Sequence, residues 1–182
     1  PTNCDTATVT VPVTAAAINA VNDTGASVNG FTGGTSYTNV LSNDTLNGVA
    51  VIPSQVNTTF VSSTNPGVTL SGTNVVVAPG TPVGNYTLTY QICEILNPSN
   101  CDTAVVTVPV NAASIDAVND AGSSINGFVG GTSFTNVLVN DTLNGNPVIA
   151  SQVNTTFISS TNPGVTLSGT NVLVAAGTPA GN

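Results

Sequence analysis

The stretch YTLTYQICEILNPSNCDTAVVTVPV, residues 86–110, decides the fold. Apolar and polar residues alternate at both of its ends, and the middle is rich in Asn, Pro and Ser. One-by-one alternation is typical of β-strands that bury one face and expose the other. The stretch therefore predicts an antiparallel β-hairpin, and the buried face of its first strand would carry Tyr86, Leu88, Tyr90 and Ile92.

Two cysteines, Cys93 and Cys101, fall on the solvent face of this predicted hairpin. A metal or redox pair is the alternative to a disulfide, but seven residues separate the two cysteines, unlike a CxxC motif, and the chain has no His. We therefore predict a structural disulfide, worth roughly 2.5 kcal/mol through chain entropy. Such a bond indicates an oxidising, extracellular compartment.

The chain repeats itself after 97 residues. Residues 1–85 align with residues 98–182 without a gap, and of these 85 pairs 18 differ and 67 are identical. A unit of this length fits one small β-sandwich domain of about 100 residues. We therefore predict an all-β chain of tandem Ig-like β-sandwich domains of about 97 residues.

The phase of the repeat predicts three segments. Residues 1–13 are expected to be the closing strand of a preceding repeat, residues 14–110 a complete Ig-like repeat, and residues 111–182 a second repeat that lacks its C-terminal hairpin. Open edges are a known route to pairing with other chains. We expect the following stretch of chain, or a neighbouring copy, to fill the missing place.

Cys4 is explained by the same alignment. It corresponds to Cys101, and the counterpart of Cys93 would lie before residue 1. We expect Cys4 to pair with a cysteine outside these 182 residues, which would then be part of a longer tandem array.

Turn residues divide the remainder of each unit into further short strands. Gly, Asn and Pro recur between the strand-like runs, as is usual in all-β domains. Strands are predicted over residues 35–41 and 57–63. A hairpin is predicted over Val68–Ala78 and again over Val165–Ala175.

Composition excludes several classes of function. The chain has no Lys, Arg or His, and eight acids give it a formal net charge of −8. Nucleic acids and anionic membrane surfaces would both repel it, since phosphate binding depends on basic residues. No apolar run approaches the roughly 18 residues of a membrane-spanning helix, so membrane insertion is not expected.

Catalysis is not expected either. A Ser or Cys nucleophile would lack an ordinary base, and no cation could stabilise an oxyanion. A pair of carboxylates could support glycoside hydrolysis. The acids, however, fall in turns and recur in each unit, so we predict a protein that is not an enzyme.

Calcium is the one cofactor that the acids suggest. Asp23, or Asp116 together with Asp120, could bind Ca²⁺ through carboxylate oxygens. The alternative is that these residues only form Asx turns at a domain boundary. Otherwise no cofactor is expected.

Rows of Thr on the predicted strands could bind a surface glycan. The alternative is that they are ordinary outward-facing strand residues, which β-propensity favours. Few aromatic residues are available for stacking on sugars, so a structural module is the preferred prediction. A glycan- or surface-binding adhesive module is the alternative.

Three motifs carry a family resemblance: AVNDTG at residues 20–25, NVLSND at residues 39–44, and the hairpin at residues 86–110. The chain resembles tandem repeats of very large cell-surface adhesins and filaments of gliding and biofilm-forming Bacteroidota, which the type IX system secretes. The first two motifs are also similar to cadherin-like and VCBS-type Ig repeats. The resemblance implies a stalk or filament at the cell surface, whose partners are neighbouring repeats or identical chains.

The same resemblance implies covalent glycans. Bacteroidota O-glycosylate exported proteins at Asp followed by Thr or Ser and a small or aliphatic residue. Four threonines occupy that motif, two in each unit, and all four hydroxyls are expected to be reachable: Thr6, Thr45, Thr103 and Thr142. A glycan coat would help a chain with so little charge to stay solvated. The alternative is that Asp-Thr is simply good turn chemistry.

Overall fold

A computed structural model describes residues 2–181 of the 182-residue chain. The chain forms two compact units, which divide between Ala112 and Ala113. The described residues form strands and two short 3₁₀ turns, so the all-β prediction is confirmed. No helix in this part of the chain is long and apolar enough to cross a membrane.

The first unit contains eleven of the strands. In chain order they are β1 (Ile18–Asn19), β2 (Asp23–Thr24), β3 (Val28–Asn29), β4 (Gly34–Tyr37), β5 (Thr45–Leu46), β6 (Val49–Ala50), β7 (Val56–Ser63), β8 (Val68–Ser71), β9 (Asn74–Val77), β10 (Gly84–Glu94) and β11 (Cys101–Asn111). A 3₁₀ turn, Pro53–Gln55, precedes β7.

The predicted hairpin is the centre of the largest sheet. β10 and β11 pair antiparallel over their full length, from Gly84 opposite Val110 to Cys93 opposite Cys101. The sheet has the order β2-β11-β10-β7, and β3 also pairs with β11. Both β2 and β3 run parallel to β11. Each of the other strands of this sheet therefore pairs directly with β10 or β11.

Two smaller sheets complete the unit. One has the order β4-β9-β8 and the other the order β1-β5-β6. β5 and β6 are joined by Asn47 and Gly48, whose φ angles of 53° and 73° are both left-handed. This is the two-residue Asn-Gly hairpin turn that the twist of the strands favours.

One apolar core lies between the hairpin sheet and the sheet β4-β9-β8, as in a β-sandwich. The inner face of the hairpin contributes Leu88, Tyr90 and Ile92 from β10 and Ala104, Val106, Val108 and Val110 from β11. Val68, Val75 and Val77 face them from the other sheet. The alternation read from the sequence is thereby confirmed for both strands of the hairpin.

The strand predicted over residues 35–41 is shorter than expected. β4 ends at Tyr37, and Asn39 takes a left-handed φ of 58°, which a strand does not continue through. Val40 and Leu41 are nevertheless buried in the core. Val40 and Leu41 are apolar because they are buried in a turn. Sequence periodicity alone does not distinguish such residues from those of a buried strand.

The second unit repeats only the smaller sheets. Its strands are β12 (Ile115–Asp116), β13 (Gly131–Phe134), β14 (Thr142–Leu143), β15 (Asn146–Pro147), β16 (Val165–Ser168) and β17 (Asn171–Val174). They form the sheets β12-β14-β15 and β13-β17-β16. Residues 154–160, which align with β7, form no strand.

Residues 2–13 form no strand in the described structure. The side chains of Val9, Val11 and Val13 are 82%, 71% and 90% exposed. They therefore contribute nothing to the core of the first unit. The assignment of residues 1–13 to a preceding repeat stays a prediction, and Pro1 lies outside the described residues.

Candidate functional site: the hairpin and its acceptor groove

The disulfide predicted for the hairpin is present. Cys93 and Cys101 are bonded, and their Cα atoms are 4.1 Å apart at the loop end of the β10–β11 ladder. A bond of this kind indicates an oxidising compartment outside the cytoplasm. Cys4 is free and exposed, so the partner expected for it stays a prediction.

Glu94 closes the loop that the disulfide spans. Its carboxylate accepts hydrogen bonds from the amides of Asn97 and Asn100, both 2.9 Å long, and a longer one from the Ala16 backbone. The Asn100 amide also donates to the Ala16 carbonyl at 2.7 Å. Hydrogen bonding from Asn100 lowers the pKa of Glu94. The loop is thereby tied to the start of the first unit.

Tyr90 carries the polar contact at the centre of the hairpin's inner face. Its side chain is fully buried, and its hydroxyl oxygen lies 3.0 Å and 3.1 Å from the two carboxylate oxygens of Asp44. The carbonyl oxygens of Val40 and Val21 lie 3.0 Å and 3.2 Å from the same hydroxyl. One hydroxyl proton therefore has four acceptors around it.

Asp44 is the acidic half of this network. It is fully buried, and its Oδ1 also accepts a hydrogen bond of 2.8 Å from the Val21 backbone. Burial raises the pKa of Asp44, because the chain has no cation to offset the charge. Burial and the charge of Asp44 also raise the pKa of Tyr90. A proton on Asp44 would relieve the shortage of donors around the tyrosine oxygen.

The three calcium candidates lie in different environments. Asp23 is buried in the first unit; its Oδ1 accepts a 3.0 Å bond from the Asn43 amide, and its Oδ2 has no hydrogen-bond partner among the described residues. Asp116 and Asp120 are exposed in the second unit. Residues 2–181 bring no three acids, cysteines or histidines together as a metal site. Calcium at these positions stays a prediction.

A groove of about 330 Å³ lies in the second unit, and we call it the acceptor groove. Its lining consists of residues 155–160 together with Val137, Val165, Thr166, Leu167 and Val172. The residues that align with this lining in the first unit include most of β7, which pairs with β10, and most of β8, which packs against β10. The acceptor groove is therefore the place that β10 fills in the first unit.

The polar receptor for a tyrosine is also present in the second unit. Asp141, the counterpart of Asp44, is 8% exposed, and its Oδ1 accepts a 2.8 Å bond from the Val118 backbone. The equivalent bond in the first unit, from Val21 to Asp44, has the same length. The backbone bond to Asp44 is therefore reproduced at Asp141, which is not among the residues that line the groove.

The threonines proposed to carry glycans divide into two kinds. Thr6 and Thr103 are exposed. Thr45 and Thr142 are half-buried in the middle strand of a small sheet, and glycans at all four threonines stay a prediction. The aspartates that precede them, Asp44 and Asp141, are buried.

Sequence reasoning missed the Tyr90–Asp44 contact. It assigned Tyr90 to the core and Asp44 to a turn, and it did not connect them. A signal was available, since a buried tyrosine hydroxyl needs a hydrogen-bond partner and Asp44 recurs in the second copy as Asp141.

Comparison with known proteins adds no relative. No protein-family model matches the chain, and no curated protein sequence matches it.

Proposed function

We propose that this chain is a structural repeat module of an extracellular bacterial surface fibre or adhesin stalk. It extends the fibre and mediates attachment or matrix building through assembly of one repeat with the next. Its partners are neighbouring repeats or identical chains. Under this proposal it has no enzymatic role, and neither nucleic-acid binding nor membrane insertion is part of its function.

The observation that carries the proposal is the pair of nearly identical units in one chain. Of the 85 aligned positions 67 are identical, and the small sheets of the two units share their strand order and residue register. Two copies of one fold without a shared catalytic centre suit a role in which length and repetition are useful. Repetition of this kind also creates extended surfaces.

The disulfide and the composition support an exposed, extracellular setting. A cross-strand disulfide stabilises a small domain outside the cytoplasm. The absence of Lys and Arg leaves a trypsin-like protease no cleavage site. The resemblance to Bacteroidota surface repeats points the same way, and under this proposal glycans are carried first at the exposed Thr6 and Thr103.

Immunogold labelling of intact source cells tests the proposal. Antibodies raised against the oxidised chain should decorate filaments outside the cell, and electron micrographs of the filaments should show a regular spacing set by one unit. Antibody against the reduced, unfolded chain is the control. Label confined to the cytoplasm, or to a secreted particle of fixed small size, would contradict a fibre role.

A further inference from the structure

β7 is an open edge of the hairpin sheet. It ends the strand order β2-β11-β10-β7, and in the described part of the chain it pairs with β10 alone. The other edge strands of the first unit, β1, β2, β3, β4, β6 and β8, are two to four residues long, whereas β7 has eight residues. Short edge strands limit pairing with other chains. β7 is therefore the edge of this unit to which a further strand can be added.

The opposite side of the sandwich is closed by hydrogen bonds. The Gly25 N–H donates to the Thr107 carbonyl of β11 at 2.8 Å, and the Ala26 N–H donates to the Ser36 carbonyl of β4 at 2.7 Å. The Ser36 hydroxyl also donates to the Ala26 carbonyl. Two neighbouring residues thus bond to both sheets and use the edge groups there. The β7 side has no such cover among residues 2–181.

Alternate backbone groups of β7 point away from β10. The Gln55 carbonyl accepts the Ile95 N–H at 2.9 Å, so residue 55 is directed at β10. In an antiparallel ladder, residues directed at one neighbouring strand alternate with residues directed at the other side. Val56, Thr58 and Phe60 therefore direct their N–H and C=O groups outward.

The regular part of this edge is complementary to itself. A bulge at Val61 interrupts the pairing of β7 with β10, which limits the regular run to Val56–Phe60. Two such runs related by a two-fold axis at Thr58 bring all their outward groups into register, with Val56 opposite Phe60. Phe60 is 47% exposed, so this register also covers an exposed aromatic side chain.

Charge favours a second copy over a partner of opposite charge. The eight acids lie outside residues 45–93, which contain β5 to β9 and most of β10. β7 has neither a charged residue nor a Pro, although such residues commonly protect edge strands. A basic partner would gain no ion pair at β7. Two copies, each with a net charge of −8, meet there without placing acids against each other.

We propose that the β7 edge binds the β7 edge of a second copy of this chain, antiparallel and with a two-fold axis at Thr58. The backbone groups of Val56, Thr58 and Phe60 exchange hydrogen bonds between the copies, and the two hairpin sheets join into one continuous sheet. This contact places chains side by side, whereas the proposed fibre role concerns their extension. It adds a lateral contact to that role and does not depend on it.

Sedimentation of the full 182-residue chain over a range of concentrations tests the proposal. Cys4→Ser is carried in every sample, because Cys4 is free and exposed and could link two chains through a disulfide. A reversible equilibrium between monomer and dimer is expected, with the dimer fraction rising with concentration.

Amide exchange measured residue by residue locates the contact. Between dilute and concentrated samples, protection should rise at Val56, Thr58 and Phe60, whose N–H groups point outward. Asn57 and Thr59 should change little, because their amides are directed at β10 in the monomer already. This alternating pattern distinguishes strand pairing at the edge from contact through a face of the sheet.

Two double variants test the register. Asn57 and Thr59 are exposed, and each lies opposite the other across the proposed axis. Asn57→Lys with Thr59→Lys places like charges opposite each other twice and should weaken the dimer about ten-fold. Asn57→Lys with Thr59→Glu places opposite charges there and should dimerise at least as tightly as the parent. Thr103→Lys with Thr107→Lys, at exposed positions of β11, is the matched control for net charge and should dimerise like the parent.

The outcomes separate this inference from the fibre role. A chain that stays monomeric at high concentration, protection gained elsewhere, or equal effects of the two charge variants would overturn the inference. Equal effects would also assign the contact to another segment, such as residues 2–13 of the second copy. Thermal unfolding of each variant shows that it is folded before its dimer is measured. A dimer without surface filaments would retain the edge contact and reject the fibre.

Discussion

The two units share most of their sequence and differ in how much of it is buried. Val40, Val68 and Val75 are fully buried in the first unit, whereas their counterparts Val137, Val165 and Val172 are only half-buried. Among the described residues of the second unit, Leu138 and Leu143 are the buried apolar side chains, each 8% exposed. Within residues 2–181 only the first unit contains the hairpin, and the same amino acids are buried more deeply there.

The comparison separates local structure from structure that depends on the hairpin. The sheets β4-β9-β8 and β13-β17-β16 have the same register, including the same irregularity beside Ser36 and Ser133. Those sheets follow from their own turns and pairings. β7, β2 and β3 are strands only where the hairpin supplies their partner, because their ladder hydrogen bonds have no other source in the unit.

Truncation of a hairpin core residue should make the first unit resemble the second. Leu88 is fully buried, so Leu88→Ala is expected to lower the free energy of unfolding of the first unit by about 3 kcal/mol. Amide exchange over β7 should rise toward that of residues 153–160. Thr89→Ala, on the outer face of the same strand, is the control. Unchanged protection of β7 would show that it does not depend on the hairpin.

Removal of the disulfide should also lower the free energy of unfolding of the first unit, but by less than Leu88→Ala does. The double change Cys93→Ser and Cys101→Ser is expected to cost about 2.5 kcal/mol, because the unfolded chain regains loop entropy. Denaturant unfolding under oxidising conditions measures this cost. Cys4→Ser should leave the midpoint unchanged, since Cys4 is free. Equal denaturant midpoints for the double variant and the parent would show that the disulfide does not stabilise the first unit.

The Tyr90–Asp44 network should give the first unit an unusual pH dependence. Burial raises the pKa of Asp44 and of Asp23, so their protonated forms stabilise the fold below the ordinary Asp pKa of about 3.9. As the pH rises through the raised pKa values, this stability is lost. The loss is up to about 1.4 kcal/mol per pH unit for each proton released. Glu94, whose pKa is lowered, contributes above its ordinary pKa of about 4.3 and loses that contribution on acidification.

Asp44→Asn tests this dependence. The amide oxygen can still accept from Val21, and the amide nitrogen can donate to Tyr90 or Val40, so the fold should be retained. Thermal unfolding between pH 4 and pH 8 should then show a flatter profile than the parent. Asp5→Asn, at an exposed position, is the control for net charge. A profile that keeps its slope in Asp44→Asn would place the titration elsewhere.

The smallest expected effect is that of replacing the glycine of the two-residue hairpin turn, and it should be the same in both units. Gly48 and Gly145 both have a φ of 73°, which is unfavourable for a residue with a Cβ. Gly48→Ala and Gly145→Ala are each expected to cost about 1 kcal/mol in the local stability of their two-residue hairpins. Amide exchange at the paired strands measures both. A clear difference between the two losses of stability would mean that the β10–β11 hairpin also stabilises the sheet β1-β5-β6.

The strands that could be predicted are those whose pattern is local. The alternation in β10 and β11 and the turn at Asn47-Gly48 identify their structures without reference to distant residues. The sequence could not show the parallel pairing of Asp23 with Val106 or of Val28 with Val110, because these contacts join strands far apart in the chain. Val40 and Leu41 misled the strand prediction because burial in a turn and burial in a strand require the same side chains.

The candidate site was predicted only in part. The disulfide follows from strand parity, since Cys93 and Cys101 fall on one face of one hairpin. Burial of Asp44 could not be read from an Asn-Asp-Thr turn, because such turns are usually exposed. Most of its burial is local, since Asp141 is also buried, at 8% exposure, and Tyr90, which lies far along the chain, accounts only for the remainder.

The parallel pairing of β2 and β3 with β11 has a mechanical consequence. Tension along the chain pulls the first unit at the segment before β1 and at Asn111, the last residue of β11. Because the paired strands are parallel, these two ends lie at opposite ends of the ladder, and the load slides the strands past each other. The bonds from Gly25 to Thr107, 2.8 Å, and from Gly30 to Asn111, 2.9 Å, then resist together instead of opening one at a time. The first unit is therefore built to resist tension by shear of β2 and β3 against β11.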